Sequence, residues 1–160
     1  MIKIRFVLIG KVKDAYLKEG YAEYLKRLSK YASVRLDYID EEKLPGSPSE
    51  GEIRKALDSE AERVLSGLKN QDTLYLCDLR GKEMDSEGFA SSLKKQIDGG
   101  VSSLVFAVGS SYGLSDLLRK KAKERYCFSK LTFTHPMTLL IVLEQVYRAF
   151  KINAGETYQK

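Results

Sequence analysis

The chain reads as an α/β domain, a mostly parallel sheet with helices on both faces. Two observations predict this. Short apolar runs rich in β-branched residues alternate with longer stretches whose apolar residues recur every three or four positions. The segments between successive strand-like runs are also long enough to hold the helix that a parallel crossover needs. With 160 residues, 43% hydrophobic and 31% charged, the chain has the composition of a folded protein with a substantial core. No repeat, low-complexity tract or boundary divides it, so residues 1–160 are taken as one domain.

The elements follow in order. Residues 2–9 form a first strand. Leu17, Tyr21, Tyr24, Leu25 and Leu28 share one face of a first helix. Residues 34–39 alternate as a second strand, and the acidic stretch 40–51, with two prolines and two glycines, is a surface loop. Ile53, Leu57, Val64, Leu65 and Leu68 mark a second helix, and TLYLCD, ending at Asp78, a third strand. A third helix carries Phe89, Ala90, Leu93 and Ile97, with Asp85 or Ser86 as its N-cap and Gly99-Gly100 as its stop. Residues 103–108 form a fourth strand, 114–123 a fourth helix and 126–128 a short fifth strand. The last helix spans 135–152 and is apolar over most of its circumference, with only Glu144, Gln145, Arg148 and Lys151 as a polar stripe. Such a helix needs cover on more than one side, from a second copy of the chain or from within the monomer.

Several function classes are excluded or weakened. The apolar part of the N-terminal run is too short for a signal sequence or a membrane span, so a cytoplasmic protein is expected. Cys77, Cys127 and the one histidine, His135, have no metal-ligand spacing, and no metal is expected. There is no GxSxG, no GxGxxG and no P-loop motif. The segment 119–130 holds six basic residues and one acid, an excess equal to the whole net charge of +5, and could attract phosphates or simply be a solvated face.

Ligands of parallel α/β sheets gather beyond the carboxyl ends of the strands. Three loops leave such ends: 78–82, 109–113 and 128–134. The loop from Gly109 to Gly113 lets a ligand approach the backbone closely. His135 precedes a proline at a helix start, where a cap or a loop role competes with a chemical one.

The runs LCDLRGK, VFAVGSSYG, FSKLTFTHP and LEQVYRAFKI…GETYQK, with the opening IGKVKDAYLKEGYAEYLKRL, resemble the ribosomal RNA large subunit methyltransferase H family of SPOUT, or α/β-knot, methyltransferases over the full length. The resemblance implies a C-terminal trefoil knot, S-adenosylmethionine as methyl donor, and a homodimer in which each tail reaches toward the partner's site. It also implies methylation at N3 of a pseudouridine in 23S rRNA of the assembled ribosome. By position, the cofactor residues would be Leu76, Gly109, Phe128, Ser129, Lys130, Leu131, Thr132 and Phe133. Leu76, Leu131 and Phe133 would wall the adenine. Arg148, Tyr158 and His135 are the catalytic candidates. The chain departs from the family pattern at Ser110 (commonly glycine), Thr134 (usually proline), Leu139 (commonly arginine) and Gln159 (usually histidine). Glutamine cannot titrate, so Gln159 cannot take over an acid–base role of a tail histidine. Two other readings accompany this one: a non-catalytic ribosome-binding or assembly factor, and a generic nucleotide-binding domain with a small-molecule substrate.

Overall fold

The structure is a computed structural model, and it describes residues 1–158. Five strands, β1 (Lys3–Ile9), β2 (Ser33–Ile39), β3 (Asp72–Glu83), β4 (Ser103–Val108) and β5 (Glu124–Cys127), form one parallel sheet in the order β2-β1-β4-β3-β5. Helices α1 (Ala15–Leu28), α3 (Ser86–Asp98) and α5 (His135–Asn153) cover one face. Helices α2 (Glu50–Ser66) and α4 (Asp116–Lys121) cover the other.

Alternation along β1 explains the two layers. Ile4, Phe6 and Leu8 point into the core under α1, α3 and α5, while Val7 and Ile9 point toward α2 and α4. All six residues of β4 are buried, as a central strand covered on both faces demands. On the α1/α3/α5 face, one ring from each of four strands stacks across the sheet. Phe6 meets Phe106 at 5.7 Å between centroids, Phe106 meets Tyr75 at 5.2 Å, and Tyr75 meets Tyr126 at 6.0 Å. Contacts of this kind add about 0.5–1.5 kcal/mol each beyond area burial.

Four elements differ from the sequence expectation. β3 does not end at Asp78 but runs on to Glu83, with a bulge in which both Cys77 and Lys82 pair with Tyr126. Gly81 makes this possible: a β-carbon there would stand 2.6 Å from the Arg125 carbonyl oxygen. β5 begins at Glu124, two residues before the expected start. α4 is shorter than expected, starting after an N-cap at Ser115, whose hydroxyl accepts from the Leu117 amide. α2 buries Ala56, Glu60, Ala61 and Val64 rather than a leucine stripe, and Leu68 lies beyond its end.

α5 is wedged between α1 and α3, and none of its residues is fully exposed. Leu139, Val142, Leu143, Val146 and Ala149 are buried within the monomer. Much of the cover that its apolar circumference called for therefore comes from its own chain.

Candidate active site at the strand exits

The register of the sheet aligns the strand exits. Leu8 is level with Val108, Val108 with Cys77, and Ile9 with Ile39. Gly10, Asp40 and Gly109 therefore leave the sheet along one edge, while β3 runs on past Asp78 to Glu83 and β5 ends beside it at Cys127. Of the three loops that the sequence offered as a ligand site, 78–82 is instead the extended end of β3, and the 109–113 and 128–134 loops leave the two strands that flank it, β4 and β5.

The β4 exit is a tight turn. The Gly113 amide donates to the Ser110 carbonyl at 2.9 Å, and Gly113 has φ +102°. A β-carbon on Gly109 would lie 2.4 Å from the Gly113 carbonyl oxygen, so only glycine lets the loop fold back this closely. Buried beneath it, Ser110 Oγ donates to Glu60 Oε1 at 3.1 Å, and Glu60 Oε2 accepts from the Glu42 amide at 2.9 Å. Burial pushes the Glu60 carboxyl above its ordinary value, and the two hydrogen bonds pull the other way. One buried acid thus ties the β2–α2 loop to the β4 exit. A cleft of about 370 Å³ opens between them, lined by Leu44, Leu57, Glu60, Ser111 and Tyr112 among others. Sequence periodicity gave no sign of Glu60, because an acid on a helix is expected to face solvent.

The β5 exit, residues 128–134, has no regular structure but is anchored. The Phe128 ring packs edge-on against Phe89 at 5.2 Å. Cys127 Sγ donates to the Ser129 carbonyl at 3.2 Å, and Ser129 Oγ accepts from the Leu131 amide at 3.0 Å. Lys130 reaches Glu83 at 3.4 Å. Leu131 is 71% exposed and Phe133 37%, and Thr132 is exposed beside them. Large apolar side chains held in the open by an anchored turn are available to a flat apolar ligand, with serine and threonine hydroxyls beside them for its polar edge. Leu76 differs from the expectation. Its side chain is fully buried among Val105, Ala107 and Val64, so it shapes the strand beneath the site and does not wall it.

His135 sits at the β1 exit. Its Nε2 is 3.0 Å from where a Gly10 β-carbon would be, and Glu41 Oε1 is 3.8 Å from that point. Burial holds the imidazole below its ordinary pKa, and the Glu41 charge opposes this. The Tyr21 hydroxyl donates to the Pro136 carbonyl at 2.6 Å, pinning the start of α5 to α1.

The two other catalytic candidates are elsewhere. Arg148 lies thirteen residues beyond His135 on α5, about 20 Å along the helix. Its guanidinium is over the Tyr158 ring at 4.6 Å, and its Nε donates to Glu144 at 3.1 Å. Tyr158 meets Tyr147 edge-on at 5.1 Å, and burial, with Tyr24 and Glu144 adding to it, pushes its hydroxyl up to about 12. The tail leading to it is held by Glu156, which accepts from Tyr31 Oη at 2.7 Å near the start of β2. Arg148 and Tyr158 therefore meet each other, but at the opposite edge of the sheet from the loops that the cofactor assignment names. Gln159 lies outside the described residues.

The basic segment 119–130 is also divided. Asp78 is buried and accepts from Arg119 Nε at 2.8 Å, Arg125 Nη1 at 3.3 Å and the Arg80 amide at 3.1 Å. Burial opposes its ionisation, but the hydrogen bonds from the Arg119 side chain and the Arg80 amide, with the charges of Arg119 and Arg125, hold its pKa below the ordinary value. Arg119 also pairs with Asp116, so it is committed within the fold and is not a free phosphate contact. Among the described residues there is no cluster of three or more potential metal ligands and no helix long and apolar enough to cross a membrane.

Residues 2–159 match the family profile described as "Predicted SPOUT methyltransferase". The chain is 41% identical over 159 residues to the ribosomal RNA large subunit methyltransferase H of Lactobacillus delbrueckii subsp. bulgaricus, covering 99% of this chain and all of that one. It is 41% identical over 160 residues to the protein of that description from Desulfitobacterium hafniense, covering both chains in full. Among solved structures it resembles a probable methylase family protein from Haemophilus influenzae, with TM-score 0.51, 15% identity, and 98% of this chain and 70% of that one covered. It also resembles a probable methyltransferase from Bordetella pertussis, with TM-score 0.54, 11% identity, and 91% and 95% covered. At such identities the structural likeness speaks for the fold alone.

Proposed function

The chain belongs to the SPOUT methyltransferases, in the ribosomal RNA large subunit methyltransferase H family, and we propose that it methylates N3 of a pseudouridine in 23S rRNA of the ribosome, with S-adenosylmethionine as donor, as a cytoplasmic homodimer. The observation that carries this reading is that the β4 and β5 exit loops flank the extended end of β3, with a glycine-closed turn on one and exposed Leu131 and Phe133 on the other. The residues fit a sulfonium nucleoside: an apolar surface for the base, hydroxyls of Ser129 and Thr132 for the sugar, and backbone at Gly109 for close approach. When bound, the donor supplies an activated methyl group. We assign β3 through α5 to the knotted segment of the family. The support for this is that β5 returns past β3 while the helices before and after β4 lie on opposite faces of the sheet.

Arg148 and Tyr158 act on the nucleotide. Arg148 can stabilise negative charge that develops on the base as N3 loses its proton. Tyr158 stays neutral at physiological pH, so it donates a hydrogen bond or stacks and does not take the proton. Alignment of donor and base supplies the rest, on the order of 7–11 kcal/mol for a well-oriented pair. Within one chain Arg148, with Tyr158 packed against it, lies about 20 Å along α5 from His135, the residue that follows the 128–134 loop. A site assembled across a dimer, with Arg148 and the tail contributed by the second copy, resolves that separation. The non-catalytic reading loses one of its two motives. Leu139 is fully buried in the core, where an unpaired arginine would be costly, so its departure from the family pattern has a packing reason. The test is transfer of a labelled methyl group from S-adenosylmethionine to ribosomes that lack the modification. Incorporation at a single pseudouridine supports the reading, and its absence with intact donor binding favours the ribosome-binding factor.

A further inference from the structure

The extension of β3 past Asp78 builds a feature that neither the family resemblance nor the basic segment alone describes. A groove of about 220 Å³ runs between Arg80, Gly81 and Lys82 on one side and Ala122, Lys123, Glu124 and Arg125 on the other. Four cations and one anion line it. Arg80 and Lys82 lie on the bulged end of β3, and both are exposed and line the groove. Lys123 is fixed by its amide, which donates to the Leu74 carbonyl at 2.8 Å. Gly81 lets the two sides close, since a β-carbon would strike the Arg125 backbone.

Asp78 is the organiser. Its carboxylate holds the Arg80 amide and the Arg125 guanidinium, and it takes Arg119 away from the surface. Arg80, Lys82 and Lys123 stay exposed. The only non-charged lining is Gly81 and Ala122, so the groove has no large apolar side chain to receive an apolar ligand. It lies on edge strand β5, where Leu76 is level with Arg125 and the Phe128–Phe133 loop begins three residues on.

We propose that this groove seats the sugar–phosphate backbone of the RNA beside the reacting base, with Arg80, Lys82 and Lys123 as its phosphate contacts. The inference rests on the rRNA-methyltransferase reading. Phosphate contacts position a nucleic acid without reading its sequence, which suits a site that must present one base to a fixed donor. Cations on an edge strand also deter pairing between sheets, and that role alone predicts no loss of RNA binding on neutralisation.

Binding to purified ribosomal large subunits is measured as a function of salt for three proteins. These are wild type, Arg80→Gln/Lys82→Gln/Lys123→Gln, and a control, Lys18→Gln/Arg35→Gln/Lys55→Gln, with cations from α1, β2 and α2. The groove variant is expected to bind about tenfold more weakly or worse, with its log–log salt slope lowered by about two to three, while S-adenosylmethionine affinity and the control stay near wild type. If the triple variant lowers the unfolding temperature, Lys123→Gln alone carries the test, with a slope change of about one. A wild-type slope that the groove variants leave intact overturns the groove and spares the RNA reading. Wild type without salt-dependent binding overturns both.

Discussion

Glu60, which is buried, and His135, which is half-buried, both lie near the strand exits, and burial shifts both. Burial raises the Glu60 pKa, so its ionised form is unfavourable to the fold. For a carboxyl raised in the folded state, stability is full below its unfolded pKa and is lost as pH climbs through the folded one. Glu60→Gln should therefore match or exceed wild-type stability at pH 7, with its amide oxygen accepting from the Glu42 amide and its NH2 group donating to the Ser110 hydroxyl. Glu60→Ala should cost about 1–3 kcal/mol, because it strands the Ser110 hydroxyl and the Glu42 amide. Chemical denaturation of both variants checks this. His135 has a lowered pKa, so the unfolded chain binds its proton first and stability falls as pH drops through the ordinary histidine value near 6.5. His135→Gln should flatten the fall in unfolding temperature between about pH 7 and pH 5.5. An unchanged pH profile would place the imidazole in a solvated setting.

At the scale of elements, the loops proposed to hold the donor depend on what lies beneath them. Phe89 on α3 touches Phe106 of β4, Tyr126 of β5 and Phe128 of the exit loop at 6.4, 5.0 and 5.2 Å. Phe89→Ala should cost about 3–5 kcal/mol in denaturant titrations and weaken donor binding through Phe128. Gly109→Ala acts on a single turn, since its methyl group would collide with the Gly113 carbonyl. Its stability loss should be about 1–3 kcal/mol, while calorimetric affinity for S-adenosylmethionine falls by about tenfold or more. Wild-type affinity in Gly109→Ala would remove the β4 exit from the cofactor site. The strands and most helices were legible from period and punctuation. The missed extension of β3 was not, because DLRGK looks like a turn until β5 is there to pair with it.

For the whole molecule, the question is where Arg148 and Tyr158 do their work. If the site is shared between two copies, two inactive variants should complement each other. Gly109→Ala disables the donor side and Arg148→Ala the substrate side. Mixed after unfolding and refolding together, they should regain about a quarter of wild-type methyl transfer, the share of sites in random dimers that draw both halves from intact surfaces. No recovery would mean that each chain assembles its site from its own residues. The separation of the two halves by the length of α5 is what makes the experiment decisive.

The order of strands and helices and the glycine turns were determined by the sequence alone, because periodicity and punctuation report how each segment meets its surroundings. Tertiary structure decided which segments are neighbours. It set β5 beside β3 and turned Arg119 inward to Asp78. It also buried Glu60 under Ser110, and it parted Arg148 from the loops it was expected to serve. Those outcomes depend on through-space pairing of charges and rings, and a linear pattern does not encode which partner a side chain finds.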